Sequence, residues 1–235
     1  MKIIVYDTET NGLPEPGATP AEYYKWPRIV QLSFLVYERP NDYVLPFATL
    51  RPTYIADYVI KPVGFVISEE VSRIHGITHA YALEHGVDLA IALSDLLTQI
   101  ADADVIVAHN ASFDKNVVHS EMYRARAFVD KSRRIWDCKP TVREFCTMIS
   151  TVGLCRCEFP RQDIKPYPFD NRTKWPRLEE LFRKLFPFET IPSGFHNSLI
   201  DIKITAKCFF GLLDMGHLSI APPQAPSLPE HIPFP

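Results

Sequence analysis

The pattern of apolar and polar positions predicts a strand at residues 3–6, an apolar run cut off by the polar stretch 8–12. Residues 29–37 are almost unbroken in apolar and β-branched side chains, as a central strand requires. Asn41-Asp42 marks a turn, and a third strand is expected over residues 57–61, ahead of Pro62. Residues 46–56, with Pro46 and Pro52, read as an insertion between strands. Ser68-Glu69-Glu70 is a cap followed by two first-turn acids, so a short helix opens there and Gly76 closes it. Over residues 88–101, Leu89, Leu93, Leu96, Leu97 and Ile100 form a helical stripe. Residues 105–108 form a short buried strand leading into His109-Asn110. The helix expected from about Ser112 carries Val118, Met122 and Ala125 on one side.

Residues 126–175, rich in Arg, Lys, Cys and Pro, read as a strand with long loops and a second insertion. Trp175-Pro176 introduces a helix over residues 177–186, with Pro where a missing N–H costs nothing. A last helix over residues 198–213 repeats Leu199, Ile202, Ala206, Phe209 and Leu213 on one face. The last fourteen residues hold six prolines, an extended tail. The expected organisation is one domain over residues 1–216 and a Pro-rich tail over 217–235, the domain being an α/β mixed sheet flanked by helices.

Composition narrows the picture. The 235 residues, 46% apolar and 23% charged, suit one α/β domain with insertions. Nothing approaches the roughly 20 apolar residues of a membrane helix, and the N-terminal run is too short for a signal peptide, so an intracellular (cytoplasmic), soluble protein with no membrane partner is expected. Five cysteines fit reduced thiols better than a disulfide framework. Cys155-Arg156-Cys157 and Cys146 lack the second Cys pair or His pair of a zinc site. A net charge of −3 argues against holding nucleic acid by overall charge, but not against an enzyme that meets phosphates through divalent cations.

Asp7-Thr8-Glu9 is the most informative tripeptide. Residues two apart on an extended chain share a side, so both carboxylates leave the strand together, either as a polar turn in water or around a cation. Asp114 follows a buried strand in the first turn of its helix, where it either complements the helix dipole or is aimed at the same point. His196 and Asp201 are five apart. One helix would set them about 140° apart, so with Asn197-Ser198 as cap His196 belongs to the loop and Asp201 to the first turn. Ser198-x-x-Asp201 is also a capping-box pattern.

The segments Val5-Tyr6-Asp7-Thr8-Glu9-Thr10-Asn11-Gly12-Leu13, Ile74-His75-Gly76-Ile77-Thr78, Val107-Ala108-His109-Asn110-Ala111-Ser112-Phe113-Asp114 and His196-Asn197-Ser198-Leu199-Ile200-Asp201 together resemble the DEDDh (DnaQ-like) exonucleases. That family includes the proofreading subunit of bacterial replicative polymerases and several RNA-trimming enzymes. The resemblance spans nearly all of residues 1–213 and implies a ribonuclease-H-like fold. It implies a 3′→5′ exonuclease in which Asp7, Glu9, Asp114 and Asp201 hold two Mg²⁺ or Mn²⁺ ions and His196 is general base, releasing nucleoside 5′-monophosphates. Thr8, Thr10, Leu13, Phe113 and His75 would hold the terminal nucleotide, Leu13 and Phe113 having core packing as their other reading. His109 supports the strand end. Arg124, Arg126, Lys131, Arg133 and Arg134 are either a phosphate guide or a solvated surface. The expected partner is a nucleic-acid 3′ end, DNA before RNA, with a polymerase or replication and repair partner left open. An exoribonuclease is the first alternative, and an inactive nucleic-acid-binding module is the alternative from another class. Gln224-Ala225-Pro226-Ser227-Leu228-Pro229 faintly resembles a sliding-clamp peptide and is treated as noise.

Overall fold

The computed structural model describes residues 1–40, 45–125, 142–159 and 173–220. Its strands are β1 (Lys2–Thr10), β2 (Ile29–Glu38), β3 (Tyr54–Val59), β4 (Val105–Ala108) and β5 (Arg143–Cys146). They form one mixed sheet in the order β3-β2-β1-β4-β5. The β1/β2 and β2/β3 pairs are antiparallel, while β1/β4 and β4/β5 are parallel. β1 is therefore central, and the strands beside it are the most apolar ones, as burial on both faces demands.

Helices cover both faces. On one, α3 (Leu89–Ile100) and α4 (Ala111–Ala125) pack Leu93, Leu96, Ile100, Val117 and Val118 against Ile4, Tyr6, Leu32 and Phe34. On the other, α8 (Ser198–Asp214) lays Ile202, Ala206, Phe209 and Phe210 over Ile3, Val5, Leu35 and Val107. α7 (Leu178–Leu185) packs beside α8 through Leu181 and Phe182. The short α1 (Glu69–His75) and α2 (His79–His85) and the single turns α5 (Thr147–Ser150) and α6 (Val152–Cys155) complete the set. α1 has the expected ends: Ser68 accepts from Val71 N, and Gly76 takes φ 81°.

Some expectations shift. The third strand starts at Tyr54, so residues 54–56 of the stretch read as an insertion pair with β2. Tyr54 and Ile55 are exposed on this edge strand, which hides the alternation, and Tyr54 and Tyr58 both donate hydroxyl bonds to Asp95 Oδ2 (2.8 and 2.7 Å). α2 was not expected, because it buries only Ala82. Pro176 stands just before the cap residue Arg177, and the helix it introduces runs over Leu178–Leu185. Arg124 is no phosphate guide: it pairs with the buried Glu121 at 2.7 Å and donates to the carbonyls of Tyr23 and Trp26. The other four members of that basic cluster, Cys138, the clamp-like stretch and most of the tail lie outside the described residues. Cys146, Cys155, Cys157 and Cys208 are free thiols. Among the described residues no helix is long and apolar enough to cross a membrane.

Candidate active site

Asp7 and Glu9 continue the row Ile3–Val5 along β1, so their side chains emerge on the α8 face just past the core. Ser33 lies opposite Asp7 and Gln31 opposite Glu9 on β2. These two buried polar residues seat the start of α8. Ser198 N donates to Gln31 Oε1 (3.2 Å), and the hydroxyls of Ser33 and Ser198 lie 2.5 Å apart. Asp57 Oδ1 accepts from Gln31 Nε2 and Ser33 Oγ, both at 2.7 Å. The only sign of this network in the sequence is that Gln31 and Ser33 interrupt an otherwise apolar run, and it was missed.

Asn197 caps α8, its side chain accepting from Ile200 N (3.3 Å), and Asp201 follows in the first turn. Asp201 thereby meets the β1 acids. One oxygen each from Asp7, Glu9 and Asp201 lie within 4.8 Å of one another, and among the described residues no other His, Cys, Asp or Glu group does so. Asp114 comes from the opposite face, in the first turn of α4, and its Oδ1 accepts from Thr8 N (2.9 Å) and Thr8 Oγ1 (2.8 Å). It is buried and is held by the residue between the two β1 acids, but it stands outside the close trio.

His196 precedes the helix in the left-handed region, φ 66°, and its N–H donates to Asp201 Oδ2 (3.0 Å). Gly194 makes this turn feasible. It has φ 90°, and a Cβ there would lie 2.5 Å from Ile200 Cδ1. The exposed His196 ring and Asp201 form one wall of a cleft of about 760 Å³ that continues past Asn110, Phe195, Trp175 and Arg177. His109 closes the far side. Its Nε2 must donate to Pro176 O (3.1 Å), since a carbonyl only accepts, which leaves Nδ1 to accept from Thr147 Oγ1 (2.9 Å). Burial holds its pKa down at about 4, so the ring is neutral at neutral pH.

The residues expected around a terminal nucleotide fall in different settings. Leu13 is 84% exposed, which removes its core reading. Phe113 is half-buried, packed against the α3/α4 core. Thr10 Oγ1 donates to Gly12 O (2.7 Å). Both donors of Thr8 are engaged by Asp114. His75 is buried, with Nδ1 accepting from Ile77 N (3.1 Å).

The acids are strained electrostatically. Burial first, then Asp114, Glu9 and Asp201, drive the Asp7 carboxyl well above the usual range. Burial and the charges of Asp201 and Asp114 push Glu9 up to about 8. Burial raises Asp114 to about 7 against the pull of its Thr8 bonds, and raises Asp201 to about 6 against the His196 N–H. The arrangement fits a hard divalent cation. All donors are carboxylate oxygens, and their separation matches the roughly 4–5 Å spanned by two oxygens across one such ion. Asp201 Oδ1, moreover, is buried without a hydrogen-bond partner among the described residues.

A pH dependence follows. Unfolded carboxylates ionise near 4, whereas Glu9 and Asp201 in the folded protein do so near 8 and 6. Between about pH 4 and 8 the folded state binds more protons than the unfolded, so metal-free stability is lost as pH rises through that window. Divalent cations bind the ionised carboxylates and release those protons. In EDTA, Tm is expected to fall by roughly 5 °C from pH 5 to pH 8, and Mg²⁺ is expected to restore more at pH 8 than at pH 5. Melting curves at both pH values check this, and a pH-independent response to Mg²⁺ would contradict it.

Three solved structures place the architecture. Exonuclease I from the moderately thermophilic Methylocaldum szegediense superimposes with a TM-score of 0.61 at 18% identity, covering 90% of this chain and 40% of that one. E. coli exonuclease I in complex with a dT13 oligonucleotide gives 0.62 at 16% identity, with the same coverage of 90% and 40%. The zinc-ion-bound form of the E. coli exonuclease I–ssDNA complex gives 0.62 at 17%, again covering 90% and 40%. The fold is the ribonuclease-H-like fold of exonuclease I. It agrees with the fold that the sequence resemblance implied, and at these identities the likeness is one of fold. The chain spans about 40% of the length of these exonuclease I chains. No family model matches it, and no curated protein matches it in sequence.

Proposed function

We propose that this chain is a divalent-metal-dependent 3′→5′ exonuclease acting on single-stranded or frayed DNA ends. The observation that carries the reading is the convergence of Asp7, Glu9 and Asp201 within 4.8 Å, with His196 fastened to Asp201 at the rim. Asp7, Glu9 and Asp201 would hold Mg²⁺ or Mn²⁺, with Asp114 at their flank. When bound, the cations would neutralise the phosphate and lower the pKa of a bound water, so that it can give up a proton and act as the nucleophile.

The chain's own residues do the rest. Gln31 and Ser33 fix the start of α8, so Asp201 faces β1. Thr8 holds Asp114 beside the trio through two bonds. The His196 imidazole, exposed at the cleft wall, takes the proton from the attacking water. Leu13, exposed just past β1, with Thr10 and with Phe113 on α4, would offer surface to the terminal base without reading its identity. His75 is a weaker candidate there, its one bonded nitrogen being turned to its own loop. A proofreading role would add a polymerase partner to this core activity.

The test is incubation of 5′-labelled DNA and RNA of one sequence with Mg²⁺, Mn²⁺ or EDTA. A metal-dependent ladder of 3′-shortened products, faster on DNA, is the expected result. A faster RNA ladder would transfer the proposal to an exoribonuclease, and no cleavage of either strand would end it.

A further inference from the structure

We propose that the cleft beside His196 and Asp201 binds the nucleotide preceding the scissile bond, its base stacked on Trp175 and its phosphate held by Arg177. The inference rests on the exonuclease reading. Asp201 belongs to both the acid cluster and the cleft, and His196, bonded to it, lines the cleft beside it, but Asp7 and Glu9 do not line the cleft. The cleft therefore extends the site beyond the acids, and neither Thr10 nor Leu13 lines it. If the terminal nucleotide lies against β1, the rest of the strand must leave along this path. Its volume of about 760 Å³ is ample for one nucleotide unit.

Trp175 is 65% exposed, the state a large aromatic avoids unless something covers it. The chain on both sides of it is nonetheless fixed. Lys174 N donates to Cys157 O (2.8 Å) and Lys174 Nζ to Glu180 Oε1 (2.7 Å), while Pro176 O accepts from His109. The indole is thus displayed from a braced backbone, and among the described residues no ring or cation pairs with it. Such a platform stacks any base, at little entropic cost.

Arg177 supplies the charge. The acids nearest it in the chain are already matched, Glu179 by Arg183 (2.6 Å) and Glu180 by Lys174. Among the described residues no carboxylate pairs with the exposed Arg177 guanidinium. Among the described residues it is a cation without a carboxylate partner, on the wall of a cleft that reaches Asp201. A backbone phosphate is the ligand that both features fit. Neither contact reads the sugar, so DNA and RNA should respond alike.

The experiment measures equilibrium binding of 3′-unmodified, 5′-fluorescein dT12 and U12 by anisotropy. It uses Mg²⁺ and the hydrolysis-blocked Asp7→Asn full chain, with Trp175→Ala, Trp175→Phe or Arg177→Ala added. Trp175→Ala should weaken both oligomers about tenfold with an unchanged salt slope, and Trp175→Phe should weaken them by about twofold or less. Arg177→Ala should flatten the slope of log Kd against log salt by about 0.7, one phosphate contact on a single strand. Unchanged Kd and slope in the Ala variants, or no binding in the Asp7→Asn parent, overturns the proposal. Hydrolysis by the unmodified protein is assayed separately. Binding through Trp175 without any cleavage would refute the exonuclease reading and leave the subsite in place.

Discussion

Asp7→Asn is expected to lower hydrolysis by about 10³-fold or more while raising the melting temperature of the metal-free protein by about 2–5 °C. Asp7 is the hub of the acid cluster: Asp114, Glu9 and Asp201 all add to the burial that raises its carboxyl. In the absence of cations this carboxyl is driven toward its protonated form, and asparagine copies that form in size without the charge. Asparagine therefore holds this uncharged form without the cost of taking up a proton at neutral pH. The same change removes an anionic ligand, so the cation that neutralises the phosphate is lost with it. Opposite signs on activity and stability are the signature of a site that is assembled against its own electrostatics. Steady-state hydrolysis of labelled dT12 and melting in EDTA read the two halves. A variant that lost both activity and stability would make Asp7 a structural residue instead.

His196→Asn is expected to lower kcat by about 10²–10⁴-fold and to leave the Mg²⁺-induced rise in Tm intact. The choice of Asn follows from the backbone. His196 has φ 66°, a conformation Asn tolerates better than most residues, and its link to Asp201 is made by the main-chain N–H. The substitution therefore removes the imidazole while keeping Asp201 oriented. A fall in Mg²⁺ response equal to the fall in kcat would instead assign His196 to the support of Asp201.

Much of this site was legible in the sequence for definite reasons. A spacing of two on a strand must put Asp7 and Glu9 on one side, and a cap at Asn197-Ser198 must separate a loop His196 from a first-turn Asp201. Both are local geometry, and both hold. What brings the two pairs together is not local. The bond from Ser198 to Gln31 joins residues 167 apart, and no periodicity announces it. The ends of β3 were obscured because an edge strand buries little, and α2 because it presents one buried side chain. Arg124 misled for a related reason: a cationic cluster in sequence says nothing of the buried Glu121 that claims one of its members. Thr8 read as part of a substrate wall, and its register instead aims it at Asp114 on the opposite face.

The span of chain between the β1 acids and α8 sets a timetable for the protein's birth. Asp201 is made 192 residues after Glu9, which at about 5–20 residues per second is a delay on the order of 10–40 s. During that interval β1, β2 and β3 can pair and α3 and α4 can cover one face, but the acid trio has only two members. A ribosome-bound chain with α8 still in the exit tunnel therefore carries no complete centre, although it is surrounded by the RNA of the machine that makes it. On the proposed exonuclease reading, competence to cut would arrive only with the last helix, and a chain interrupted before Ser198 would lack it.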